Sequence, residues 1–236
     1  MMEGRMKKFG IVCAGDKEFA PFIPIIDECK ITEKAMLKFY EGRIGDVEVV
    51  ALFSGVCKVN AAIATQILID TFKVDVVINA GTAGGMNHDL EIFDVAISTE
   101  VAYHDVAPHI LTEFHPWMDS IYFHADKELL ELAKIVISKL GMESRSFFGR
   151  MVTGEAFISE DGRDRINNEF APLTVDMETA SIAHVCYVNK TPFISIRCIT
   201  DTATHSGVAH FEENCEKASA IAKDITVALL AEVKRM

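Results

Sequence analysis

The run Val74-Asp75-Val76-Val77-Ile78-Asn79 constrains the fold more than any other stretch of the chain. It is short, rich in β-branched residues and nearly continuous in its apolar character. A strand with one wet face would alternate, so this one reads as a central strand covered on both sides. It opens into Ala80-Gly81-Thr82-Ala83-Gly84-Gly85, which is expected to be a glycine-rich loop. That loop has neither the GxGxxG nor the Walker spacing, so it implies close backbone approach to a ligand and no cradle for a nucleotide phosphate. The competing reading is a plain tight turn, and glycine content alone favours it.

Strand-like and helix-like stretches alternate on either side. Lys8 to Ala14 reads as a buried first strand, and Gly15-Asp16-Lys17-Glu18 as the turn and first helical positions after it. Phe19, Phe22, Ile23, Ile25 and Ile26 continue as an apolar face, with Pro21 and Pro24 near a helix start or at a kink. Ala35 to Arg43 and Val47 to Phe53 read as strands joined through Ile44-Gly45-Asp46, and Val59 to Phe72 as a helix packed between layers. Ile92 to Tyr103 reads as a strand, and the mixed stretch from His104 to His124 as a functional or interface loop. Asp126 to Leu140 is an amphipathic helix ended by Gly141, Ser146 to Thr153 a strand, and Ser159 to Phe170 a polar helix. A loop rich in Thr, Ser, Gly and His, from Thr202 to His210, precedes a long final helix from Phe211 onward. The alternation predicts one domain over residues 1–236: an α/β, three-layer α/β/α sandwich around a central mixed, curved β-sheet.

Chemistry concentrates at strand ends, where open α/β sheets bind ligands. Val175-Asp176-Met177-Glu178-Thr179-Ala180-Ser181 places a carboxylate where a short apolar strand gives way to a helix. The run from Phe193 to Asp201 ends in another, with Arg197 before it, so two neighbouring strands are expected to deliver acids to one rim. Glu18 stands at the end of the first strand. Either Glu178 or Asp201 alone reads as a first-turn acid or a cap, and their joint placement favours function.

The formal net charge of −12 argues against a nucleic-acid partner, because that affinity rests on clustered Lys and Arg. A small uncharged or zwitterionic ligand fits better. The six cysteines show no CxxC pair and read as reduced core thiols, and His104, His109 and His115 lack the spacing of a metal motif, so no metal is expected. No apolar run approaches the roughly 18 residues of a membrane span. With no signal-peptide pattern at the N-terminus, the expected compartment is the cytoplasm.

Several strings, taken together in order and spacing, resemble the purine nucleoside and uridine phosphorylase superfamily, and within it the methylthioadenosine/S-adenosylhomocysteine nucleosidases. They are Gly10-Ile11-Val12-Cys13-Ala14 followed by Glu18, Asn79 to Gly85, Tyr103-His104-Asp105, Val152 to Ile158, Asp176-Met177-Glu178, and Arg197 to Asp201. The resemblance runs nearly end to end. It implies cleavage of the bond between adenine N9 and ribose C1′ by water, without a cofactor. By the same matching, Asp201 would protonate the leaving base and Glu18 would activate the water, while Arg197 and Thr82 help to place water and hydroxyl groups. Glu178 would bind the ribose hydroxyls, Met177 pack under the sugar, Phe157 stack on adenine and the backbone of Ile158 read its edge. Gly84 belongs to the same binding set.

Leu111 to Trp117 resembles the part of the family fold that a neighbouring subunit contributes to the 5′ pocket, which implies a homodimer. The related phosphorylases bind a phosphate dianion with arginines. Here the corresponding regions offer Gly15-Asp16-Lys17-Glu18 and Ile78-Asn79, with Arg43 as a stray candidate on a solvated face, so hydrolysis is favoured. A non-catalytic nucleoside-binding module is the third reading, disfavoured by the presence of both an acid and a base. Cys57 stands where the family usually has glycine, Gly15 where methionine often lines the pocket, Thr82 where serine is usual, and Phe93 where glycine often precedes the aspartate. These departures bear on the 5′ substituent preferred more than on the reaction.

Overall fold

The central strands are buried along nearly their whole length, and their side chains point alternately into two layers of helices. A computed structural model describes residues 7–114, 118–158, 160–205 and 207–233. In it β1 (Phe9–Cys13), β4 (Val47–Phe53) and β5 (Val76–Gly85) lie parallel, with β5 between β1 and β10 (Phe193–Asp201). Phe9, Ile11, Val49, Ala51, Val76, Ile78, Ile194 and Ile196 point to the layer of α4 (Lys127–Leu140) and α7 (Val208–Val233). Val12, Val50, Leu52 and Val77 point to the opposite layer, α2 (Lys58–Asp70) and α6 (Thr179–Asn189). Both faces being covered explains why these strands carry near-continuous apolar runs. The expected α/β three-layer sandwich is borne out.

The sheet is mixed and curved. β6 (Val95–Tyr103) runs antiparallel to β10 and parallel to β8 (Ser146–Thr153); β8 pairs with β9 (Thr174–Asp176), and β9 returns antiparallel to β5. Because β5 also pairs with β10, these five strands form a closed circuit. A hairpin extension, β3 (Leu37–Ile44) and β2 (Asp27–Lys34), continues the sheet beyond β4. The helix α4 is held at both ends by the signals expected for it. Asp126 Oδ1 accepts from the amides of Glu128 and Leu129 at 3.0 and 3.1 Å, a cap contributing about 1 kcal/mol, and Gly141 closes the helix in the left-handed region.

Several expectations need correction. Residues 80–85 are not a loop but the continuation of β5, because neighbours on both sides keep the backbone paired. The two acid-bearing strands are not neighbours: β5 lies between β9 and β10, and closure of the circuit brings their ends to one rim. The apolar face after Glu18 is cut short, since α1 (Asp16–Phe19) gives way to a 3-10 turn at Ile23–Ile25 and then to β2, whose exposed polar sequence gave no strand signal. The strand read from Ala35 begins at Leu37, because Ala35 and Met36 form the β2–β3 turn with φ of +52° and +63°. Within the stretch read as a loop, α3 (Pro108–Glu113) and the two-residue β7 (Phe123–His124) are also formed, and α7 begins at Val208, ahead of Phe211. His115, Pro116 and Trp117 lie outside the described residues, as do residues 1–6, Ser159 and Ser206.

Two positions noted as departures from family glycines have left-handed backbones, Cys57 at φ +84° and Phe93 at φ +71°. Cys57, at ψ 162°, occupies a region that only glycine enters freely, at a cost of about 1–3 kcal/mol. It is held there because its N–H donates to Glu178 Oε1 at 2.9 Å while its carbonyl accepts from Ala61 at 3.2 Å and starts α2. Cys57→Gly is expected to raise stability by about 1 kcal/mol in thermal or urea unfolding. A variant no more stable than the parent would mean that the thiol's contacts outweigh the strain.

Candidate active site

Arg197 is completely buried in the middle of β10, and three carboxylates from two distant segments of the chain, Glu18 and the pair Asp176 and Glu178, meet it. Its Nε and Nη2 donate to Asp176 Oδ2 at 3.3 and 3.2 Å, Nη2 reaches Glu178 Oε2 at 3.5 Å, and Nη1 lies 3.8 Å from Glu18 Oε1. Burial alone would weaken the guanidinium's hold on its proton; Asp176, Glu18 and Glu178 outweigh that effect and keep it charged. Strand register explains how so large a side chain fits. Arg197 stands opposite Gly81 of β5, where a Cβ would meet Glu18 Oε1 at 2.5 Å and Arg197 Nη1 at 2.7 Å. Gly84 stands opposite Asp201 in the same way, and a Cβ there would approach its Oδ2 to 3.1 Å. The glycines of β5 thus make room for the charged side chains of β10.

Glu18 is fixed by the turn that carries it. Oε2 accepts from the amides of Ala14 and Gly15 at 2.7 and 3.1 Å, and Oε1 from the amide and hydroxyl of Thr82 at 2.6 and 2.8 Å. Asp176 is the brace of the opposite side. Its Oδ1 accepts from Thr153 Oγ1 at 2.6 Å and from the amides of Glu178 and Thr179, and its Oδ2 accepts from the Thr179 hydroxyl. This arrangement caps α6 and sets the start of the helix beside Glu178. Burial raises the Glu178 carboxyl to about 7; Arg197 pulls it down, and Asp176 adds to the rise.

Asp201 ends β10 and is 1 % exposed. Burial lifts its carboxyl above the ordinary range, opposed by the Thr200 hydroxyl at 3.0 Å and by the positive charges of Arg163 and His210. Across a cavity of about 370 Å³, Glu18, Thr82 and Glu178 face the same space as Asp201 and Gly84. Met177 lines it beside Glu178, and Phe157 and Ile158 line its other end, where Phe157 meets Phe211 edge to face at a centroid distance of 6.4 Å. A volume of this order suits a small organic ligand.

Every site residue named from the sequence therefore borders the cavity except Arg197, which stands behind it and bonds the acids. Three contributors were missed. Asp176 lay inside a quoted string, and its spacing to Thr179, typical of a helix cap, was the available signal. Phe211 stood at the expected helix start, and Arg163 sat in a polar helix where nothing local separates it from a surface arginine. Two of the quoted strings form a latch with Lys58, next to Cys57, whose amide donates to Glu178. Lys58 Nζ donates to both oxygens of Asp105 at 2.9 Å, the Lys58 amide donates to Glu155 Oε1 at 3.0 Å, and the Glu155 amide donates to Asp105 Oδ2. His104 is buried, with Nδ1 3.3 Å from Arg165 Nη2 and Nε2 without a hydrogen-bond partner among the described residues.

Comparison with known proteins places this geometry. The Phosphorylase superfamily pattern matches residues 8–231. A 5′-methylthioadenosine/S-adenosylhomocysteine nucleosidase of Exiguobacterium sp. is 40% identical over 220 residues, covering 90% of this chain and 92% of that protein. The structure of the nucleosidase of that name from Colwellia psychrerythraea, in complex with adenine, superposes with a TM-score of 0.88 at 33% identity, covering 97% and 96% of the two chains. A futalosine hydrolase of Helicobacter pylori superposes at 0.87 with 25% identity, covering 96% and 98%. On its pattern match, its identity to these relatives and the superposition, the chain belongs to the phosphorylase superfamily and, within it, to the 5′-methylthioadenosine/S-adenosylhomocysteine nucleosidases.

Proposed function

We propose that this protein hydrolyses the N-glycosidic bond of 5′-methylthioadenosine and S-adenosylhomocysteine, releasing adenine and the 5-thioribose product. The observation that carries the proposal is the meeting of Glu18, Glu178 and Asp201 at one cavity, with Arg197 already engaged by carboxylates. Water attacks C1′ as the C1′–N9 bond breaks and its electron pair passes to the base. Glu18 takes the water's proton, and protonated Asp201 gives its own to adenine N7, so that the base leaves neutral. Charge on the sugar in the oxocarbenium-like transition state is balanced by the surplus of carboxylates. Glu178 accepts from the ribose hydroxyls, Thr82 helps to orient the water, Arg197 acts from behind the cavity by fixing the carboxylates that hold water and hydroxyls, and Met177 packs under the sugar. Phe157 stacks on adenine, the backbone of Ile158 reads the base's edge, and Gly84 lets the base approach Asp201.

The charge balance supports water over phosphate as nucleophile. A phosphate dianion beside Glu18 would face Glu18, Asp176 and Glu178 against Arg197, which those acids already engage, and Lys17 at the cavity wall, and like charges repel. Gly15 borders the cavity, and a Cβ there would meet nothing within 4 Å, which leaves room for 5′ substituents of different size.

The proposed unit is a single domain in a cytoplasmic homodimer. Exposed apolar side chains on and around α2, α3 and α6 support pairing, among them Val59 at 67%, Phe114 at 67% and Val188 at 47% exposure. Leu111 itself packs into its own subunit's core. The reach toward a partner's site is assigned to Ile110, Phe114 and the segment through Trp117, whose last residues lie outside the described ones.

Methylthioadenosine incubated without phosphate is expected to yield free adenine, assayed by chromatography. Strict phosphate dependence would identify a phosphorylase, and binding without turnover a non-catalytic module. Asp201→Asn is expected to lower turnover by about 10²–10⁴-fold with folding retained. Because Asp201 must carry its proton, activity should fall as pH rises through its elevated pKa; near-normal turnover of the variant would remove Asp201 from the mechanism. Val59→Glu is expected to convert a dimer to monomers in sedimentation velocity, and an unchanged dimer would exclude this face as the interface.

A further inference from the structure

A second buried arginine meets the proton donor, and the bond-breaking chemistry does not call for it. Arg163, in the first turns of α5 (Glu160–Phe170), is 4% exposed. Its Nη1 donates to the Gly85 carbonyl at 2.6 Å and touches Met86 Sδ at 3.6 Å; its Nη2 donates to Asp201 Oδ2 at 3.3 Å. The other oxygen of Asp201 accepts from the Thr200 hydroxyl at 3.0 Å. A cation beside an acid favours the ionised form, which opposes proton donation, so general acid catalysis alone gives no reason to bury one here. Geometry supplies the reason. Helix α5 follows directly on Phe157 and Ile158, and a Cβ at Gly162 would meet the Ile158 side chain at 3.1 Å. The guanidinium therefore ties the segment at the adenine end of the cavity both to the end of β5 and to the last residue of β10.

We propose that Arg163 is a positioning residue for the reaction. Braced on the Gly85 carbonyl, it holds the Asp201 carboxyl in its orientation toward the cavity and docks the Phe157–Ile158 segment beside it. The proposal rests on the reading of Asp201 as proton donor. The charged and titratable groups around that carboxyl are Arg163 from α5 and His210 from α7, with Glu212 and Cys215 of α7, Asp16, Lys17 and Glu18 of α1, and Asp176 and Glu178 lining the same cavity and Arg197 behind it. Without the guanidinium, Asp201 keeps its proton to higher pH while losing its fixed orientation. The two effects separate in experiment: the alkaline limb of the rate profile moves up as the maximal rate falls.

The test is a cycle of Arg163→Met and Arg163→Lys in the parent and in Asp201→Asn, with kcat and KM measured on methylthioadenosine across pH and folding followed by circular dichroism. Arg163→Met is expected to lower kcat by on the order of 10²-fold, the penalty of a misplaced group. Its alkaline limb should move up by about one pH unit or more. Arg163→Lys should restore part of the rate with the limb near the parent's position, and Arg163→Met should cost little more once Asp201 is Asn. If the Met variant does not fold, Arg163→Gln gives the same readings. Equal losses in both backgrounds, or a uniform loss across pH with an unmoved limb, would reduce Arg163 to a structural residue and overturn the proposal. Near-normal turnover of Asp201→Asn alone would instead overturn the role of Asp201, and that single variant is read before the cycle.

Discussion

The site depends on one buried guanidinium. Arg197 is the only cation that Glu18, Asp176 and Glu178 share among the described residues; Glu18 reaches it from α1, and Asp176 and Glu178 from the junction of β9 with α6. Removing a partner from such a buried group typically costs about 3–5 kcal/mol, because uncompensated charge is left out of water. The arrangement is not a stabilising device in its own right. Three carboxylates on one arginine leave a surplus of negative charge, and Asp176 and Glu18 add to the rise that burial imposes on the Glu178 carboxyl. The fold holds this surplus in place because Thr82, Thr153, Thr179 and the amides of Ala14 and Gly15 satisfy the remaining lone pairs.

That surplus governs what the cavity can do. It suits a neutral nucleoside whose sugar becomes positive as the base departs, and it resists an anionic nucleophile. Asp201 stands apart from the surplus, with its own arginine, so acid and base are held in separate electrostatic environments at two sides of one space. Environments that push two carboxyl groups toward different protonation states are the usual means of assigning opposite roles to like residues.

Closure of the strand circuit makes this geometry available. β9 and β10 are separated by β5, yet their ends meet around it because β5 pairs with both. Register then decides the details: Arg197 opposite Gly81 and Asp201 opposite Gly84 give each charged side chain a place where the neighbouring strand has no Cβ. The string from Ala80 to Gly85 reads as a loop by composition because glycine is usually a turn residue. In the folded chain the same glycines serve close packing within a strand.

The sequence by itself determined the layer architecture, most element positions and the identity of the acids, because apolar periodicity and strand-end carboxylates are local signals that survive without neighbours. Glu18, Glu178 and Asp201 were legible for that reason, and their order along the chain matched a family. Tertiary structure alone decided that Arg197 lies behind the cavity, that Asp176 braces the cluster, that Arg163 grips Asp201 and that β5 separates the two acid-bearing strands. These are facts of register and closure between segments far apart in sequence. A charged residue carries no local mark of whether a distant strand will leave room to bury it.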